Sequence, residues 1–99
     1  MAGDGVFHAL AHPTRRDILR VLRENESLLA GELAERLGVP APTLSGHLNI
    51  LKNADLIAGE RRGTSIRYRV NTTVVEDALT SFLTMLNLGT GGDEKGERS

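Results

Sequence analysis

The chain has no cysteine and no tryptophan, and its 99 residues include only three aromatics, Phe7, Tyr68 and Phe82. Without cysteine, disulfides, thiolate metal sites and thiol redox sensing are all excluded. With so few rings, a core must be assembled from Leu, Ile, Val and Ala, which at helical spacing favours an α-rich fold. No early apolar run is long enough for a signal peptide, and none approaches the ~20 residues of a membrane span. Membrane insertion is therefore not expected, and the cytoplasm is the default location. The length suits one domain with a sufficient but not generous core.

Charge of either sign is nearly balanced, at a net −1, which by itself argues against a nucleic-acid partner. Its distribution argues the other way. Residues 1–39 carry five Arg against six acids, and residues 71–99 carry two bases against five acids. Residues 40–70 hold Lys52, Arg61, Arg62, Arg67 and Arg69 against only Asp55 and Glu60. The positive charge is concentrated where a DNA-facing surface would need it, although a solvated hairpin would look the same on charge alone.

What is present is a series of helical patterns. Met1 to Gly5 reads as a mobile start. Val6 to Ala11 reads as a short apolar helix, which His12-Pro13 ends. Pro13 suits the first turn of the next helix, to Arg23, with Ile18, Leu19 and Leu22 on one face. Asn25-Glu26-Ser27 reads as a turn. A third helix, Gly31 to Leu37, stops at Gly38. Glu32 sits where a capping-box acid belongs, but Leu29 occupies the position that needs Ser or Thr, so packing is expected to set this start. After Gly38-Val39-Pro40 comes a fourth helix, Ala41 to Ala54, with Leu44, Leu48 and Leu51 facing inward. Helix, tight turn and helix together make the shape that places one helix in the DNA major groove.

Ile57 to Val70 reads as a β-hairpin, with Ile66, Tyr68 and Val70 alternating with Arg67 and Arg69 and a tip at Arg62-Gly63-Thr64-Ser65. Asn71-Thr72-Thr73 offers caps for a last helix, Val74 to about Leu88, with the apolar stripe Val75, Leu79, Phe82, Leu83 and Leu86. The domain is thus expected over residues 1–88, with 89–99 (GTGGDEKGERS from Gly89) a disordered tail. The expected fold is mainly α: a winged helix-turn-helix in the order α-α-α-α-β-β-α.

The segments HPTRRDILRVL, GELAERLGV, TLSGHLNILKNADLI and ERRGTSIRYRV resemble, in that order, the ArsR/SmtB-type family of small dimeric bacterial repressors. The resemblance covers about Val6 to Leu86. IRYRVNTTVVEDAL is similar more particularly to the metal-independent branch that contains the sporulation-delay autorepressor. The family implies a recognition helix docked in the major groove. By position, Thr43, Ser45, Gly46, His47 and Asn49 become candidates for groove or phosphate contacts. Ser, Thr and Asn suit base edges and phosphates, though none gives the bidentate signal of Arg on guanine. The bland alternatives are helix-start solvation for Thr43 and Ser45 and a packing position for His47.

Gly46 costs helix propensity where relatives often carry a larger residue. In the hairpin, Arg61, Arg62, Thr64, Ser65 and Arg67 would lie along the backbone or in the minor groove, setting affinity and salt dependence more than sequence. Arg69 has Glu76 as an alternative partner, and Arg15 and Arg16 either touch phosphate or form surface ion pairs. The first and last helices imply a two-fold dimer interface of Val6, Phe7, Leu10, Val75, Leu79, Phe82, Leu83 and Leu86. It would space two recognition helices one DNA turn (~34 Å) apart.

Metal sensing is common in the resembled family, but its Cys-x-Cys site would fall on Leu28 to Leu33, which has no cysteine. Its last-helix site needs His; Glu76 and Asp77 are present, yet no His follows His47. His8 and His12 lack a third ligand. No metal and no cofactor are expected. Ser45 and His47, two apart on a helix, point in different directions and make no nucleophilic pair, so no enzyme is expected. The partners expected are double-stranded DNA and a second copy of the chain, with a protein anti-repressor as a further candidate. A repressor sensing a small organic ligand at the dimer interface and a winged helix serving only protein interaction are the rivals.

Overall fold

Residues 2–87 are described by the computed structural model, so Leu88 and the expected tail, 89–99, lie outside the described residues. The elements run α1 (Ala2–Leu10), α2 (Pro13–Glu24), β1 (Leu28–Leu29), α3 (Ala30–Leu37), α4 (Ala41–Asn53), β2 (Ile57–Arg62), β3 (Ser65–Val70) and α5 (Thr72–Met85). Helices dominate, and the three strands form one antiparallel sheet in the order β1-β3-β2. No helix among the described residues is long and apolar enough to cross a membrane.

The core gathers residues from every element except α5. Ile18 and Leu22 of α2, Leu33 of α3, and Leu44, Leu48 and Leu51 of α4 meet Leu28, Leu56, Ile57 and Tyr68, with Val6 and Ala9 of α1 closing one side. The i, i+4, i+7 leucines of α4 are all buried, so this helix is pinned by one face and leaves the other open.

The last helix runs from Thr72 to Met85, not from Val74 to about Leu88, and three further features differ from expectation for identifiable reasons. First, α1 begins at Ala2, not Val6. Val6 and Ala9 are packed in the core, and a helix anchored there extends backward at little cost once nucleated. Second, the stretch after Asn25-Glu26-Ser27 contains a strand absent from the expected order. Leu28 and Leu29 pair with Tyr68 and Arg67, adding an edge to the hairpin. A two-residue strand has no periodicity to read. Third, the start of α3 is not set by packing alone. The Leu29 N–H donates to Glu32 Oε1 at 2.8 Å, which is the acidic half of a capping box. Leucine has no acceptor with which to return the other half.

Gly38 ends α3 in the left-handed region at φ 65°, where a side chain would be strained. The N–H groups of Gly38 and Val39 both turn back to the Ala34 carbonyl, closing the helix so that Gly38-Val39-Pro40 redirects the chain into α4. Gly63, at φ 64°, does the same service in the two-residue turn between β2 and β3.

Candidate nucleic-acid interface

On α4, Thr43, Ser45, Gly46 and Asn49 are exposed, and none of the three polar side chains among them makes a hydrogen bond within the protein among the described residues. A Cβ added at Gly46 would meet nothing within 4 Å. The open face is therefore a shallow surface of small donors and acceptors.

His47 stands apart from that face. It is half-buried, its Nδ1 lies 3.3 Å from Arg15 Nη1, and its ring centroid is 4.6 Å from that of His12. Burial, then His12, then Arg15 depress its pKa below the ordinary histidine value. Arg15 is itself buried, and it donates to the carbonyls of Ala9 (2.7 Å) and His8 (3.0 Å). Arg16 donates to Leu10 at 2.8 Å. These two arginines satisfy the last carbonyls of α1, groups that a helix leaves unpaired. They act as helix caps, and neither forms an ion pair among the described residues. The signal was present in the sequence: Arg15 shares a stripe with Ile18 and Leu22 at i, i+3, i+7. His12 is the residue just before α2, its Nδ1 accepting the Thr14 N–H at 3.1 Å.

The hairpin register divides the wing arginines between two faces. Arg61 pairs with Ile66, on the side shared by Tyr68, Ile57 and Val70. Arg62 and Arg67 occupy the opposite side, opposite Ser65 and Glu60. Arg62 is exposed and pairs with exposed Glu60 at 3.2 Å, an interaction of small energetic weight. Arg67 is half-buried and its Nε donates to Ser27 Oγ at 3.1 Å, bracing β3 against the segment before β1. Thr64 and Ser65 are exposed at the turn. Arg69 forms no ion pair with Glu76; the ion pairs among the described residues are Arg20–Asp17 and Arg62–Glu60. Arg61, Arg62, Thr64 and Ser65 thus share the hairpin's outer end, while Arg67 sits further back in the sheet.

On the side of α1 and α5, no residue of α5 is buried. Leu79, Phe82, Met85 and Leu86 are 54, 40, 62 and 45% exposed. Phe7 meets Phe82 edge to face at 5.5 Å, and with Leu10, Ala11, Ala78 and Leu79 they line an apolar groove of about 310 Å³. Val75 and Leu83 are half-buried. Val6, grouped with this surface in the sequence reading, is only 8% exposed and belongs to the core. Met85 extends the stripe and was not anticipated.

A helix-turn-helix domain model matches residues 10–60, slightly over half of the chain. The transcriptional repressor SdpR of Bacillus subtilis is 42% identical over 86 residues, spanning 87% of this chain and 94% of that protein. An HTH-type transcriptional regulator of Methanocaldococcus jannaschii is 40% identical over 72 residues, 72% of this chain and 81% of that one. Among solved structures, an ArsR-like transcriptional regulator from Rhodococcus sp. RHA1 superposes with a TM-score of 0.77 at 30% identity, covering 88% of this chain and 80% of its own. NolR from Sinorhizobium fredii superposes at 0.70 and 27% identity, covering 85% and 83%. With a helix-turn-helix leading into a three-stranded winged sheet, and with relatives of this identity over nearly its whole length, the chain belongs to the ArsR/SmtB family of helix-turn-helix transcriptional regulators.

Proposed function

We propose that the protein is a transcriptional repressor that binds a palindromic operator as a homodimer, with no metal or thiol input. The observation that carries the DNA-binding part is the split character of α4, apolar and buried on one face, small and hydrogen-bond-ready on the other. Thr43, Ser45, Gly46 and Asn49 meet the groove in this reading, and Arg61, Arg62, Thr64 and Ser65 meet backbone phosphate at the wing. His47 and Arg67 contribute from the margins of that surface. Repression follows by analogy with SdpR, whose described role is transcriptional repression. The dimer rests on α5, which has an apolar stripe but no buried residue, beside Phe7 and Leu10. A second copy covering Phe7, Leu10, Val75, Leu79, Phe82, Leu83 and Leu86 would satisfy that stripe and set two α4 helices one DNA turn apart. The exclusion of thiol sensing rests on the lack of cysteine, and that of metal sensing on the donor set. Among the described residues no three His, Asp or Glu side chains gather.

The test is selection of bound fragments from genomic DNA, followed by titration of the recovered site with the Arg61→Ala/Arg62→Ala variant. The expected site is an imperfect palindrome, and the variant is expected to bind it more weakly and with a shallower salt dependence. Unchanged affinity and salt slope would refute the wing assignment. Stoichiometric metal in the purified protein would refute the metal-free reading. The apolar groove between α1 and α5 favours one second reading, a repressor whose release is set by a small organic ligand. A ligand-dependent loss of operator binding would select it.

A further inference from the structure

Gly46 stands on the side of α4 opposite the core. At about 100° of rotation per residue it falls across the helix from the buried stripe of Leu44, Leu48 and Leu51. Exposed Ser45 and Asn49 flank it on one side and exposed Thr43 on the other. The helix-turn-helix match spans this helix, so its outermost line is the line that goes deepest into a major groove. On that line, at its middle, the protein has no side chain.

Nothing within the fold calls for glycine there. The positive-φ glycines among the described residues are Gly38 and Gly63, so the backbone at Gly46 is one that any residue adopts. A Cβ would meet no atom within 4 Å. A helix interior also penalises glycine relative to alanine. The monomer would be more stable with alanine, so what the missing methyl provides lies outside the monomer: room for a group on the DNA. The chemistry of the gap says which group. Inside α4 the N–H and C=O of Gly46 are used by the helix ladder, so it presents only carbon-bound hydrogen. Of the groups that bases project into the major groove, the 5-methyl of thymine is the apolar one. Every other is a donor or acceptor that glycine would leave unpaired.

We propose that Gly46 is a specificity-determining residue, its bare backbone receiving a thymine methyl of each half-site. α4 then reads one A·T pair by apolar contact and not by a hydrogen bond, while Thr43, Ser45 and Asn49 keep their polar groups for the neighbouring base edges. The inference rests on the DNA-binding reading and adds to it the identity of one base pair.

The probe is the duplex recovered by genomic selection, with each thymine replaced in turn by deoxyuridine, which differs only in lacking the 5-methyl. For the wild type, replacement at one symmetric pair of positions is expected to weaken binding about fourfold per methyl removed. Gly46→Ala puts a methyl where the base's methyl would sit. It is expected to bind the thymine duplex about tenfold more weakly, and to bind the deoxyuridine duplex at least as well as the thymine one. On a duplex of random sequence it should keep the wild-type affinity and salt slope, which are set by phosphate contacts. Thermal melting, in which the variant is expected to be no less stable than the wild type, separates these effects from misfolding. A wild type indifferent to deoxyuridine at every position would overturn the proposal, as would a recovered site with no A·T pair common to its two halves. An alanine variant that keeps the wild-type affinity for the operator, or the wild-type preference for thymine, would overturn it equally. A wild type that selects no site at all would refute the parent reading, an outcome plainly different from a selected site read without its methyls.

Discussion

Gly59 and Gly46 look interchangeable in a sequence and are opposites in the fold. A Cβ at Gly59 would lie 3.0 Å from Ile66 Cγ2 and 3.1 Å from Tyr68 Cε1, because both side chains lean across the hairpin onto the bare backbone. Gly59→Ala must displace the half-buried Ile66 or the buried Tyr68, and is expected to cost about 1–3 kcal/mol, read as a lower midpoint in urea unfolding. At Gly46 there is open space, so Gly46→Ala should gain about 0.5–1 kcal/mol from helix propensity in the same measurement. The sequence made Gly46 conspicuous because a helix interior penalises glycine. It left Gly59 silent because the clash depends on cross-strand register, which no local pattern encodes. The third residue-scale expectation concerns His47. Its folded pKa lies below its unfolded value, so the unfolded chain binds more protons in the window between the two. Stability should therefore fall as pH drops below about 6.5, the ordinary histidine value. Melting temperature against pH checks this, and His47→Gln should lose that part of the acid slope.

At the scale of elements, the helices were readable and their joints were not. The leucines at 44, 48 and 51 repeat at helical spacing and are buried, and Gly38 marks a left-handed stop, so α3, the turn and α4 could be read from local chemistry. The joints are made by residues from other elements. Arg15 and Arg16 of α2 close the C-terminus of α1, and Ser27 receives Arg67 across forty residues of chain. Leu28 and Leu29 become a strand only because β3 offers them a free edge. Arg15→Met keeps the aliphatic stem but removes the donors from two α1 carbonyls inside a buried site, and should cost about 1–3 kcal/mol. Arg16→Ala, at an exposed position, should cost well under half as much in the same unfolding experiment.

For the whole molecule, the unsettled quantity in the sequence was which apolar side chains serve the monomer and which remain for a partner. Val6, Phe7 and Leu10 read as one face, yet Val6 is in the core while Phe7 opens onto a groove shared with Phe82. That division is set by how α1 crosses α2 and α4, which spacing along α1 cannot reveal. The stripe on α5 was legible, but its having no buried residue was not, and that fact makes a second copy the natural cover. If two copies meet there, charge introduced at the centre should separate them without touching the core. Leu79→Glu/Phe82→Glu is therefore expected to be a folded monomer at micromolar concentration by light scattering, and the wild type is expected to be a dimer. Its DNA binding should weaken, and its salt slope should drop to about half, since each released counterion reports one phosphate contact and a monomer makes half as many. A wild-type monomer would remove the two half-sites from the proposal. A variant that separates yet keeps the full slope would place the phosphate contacts of both half-sites within one copy, which a single α4 and a single wing have no means to supply.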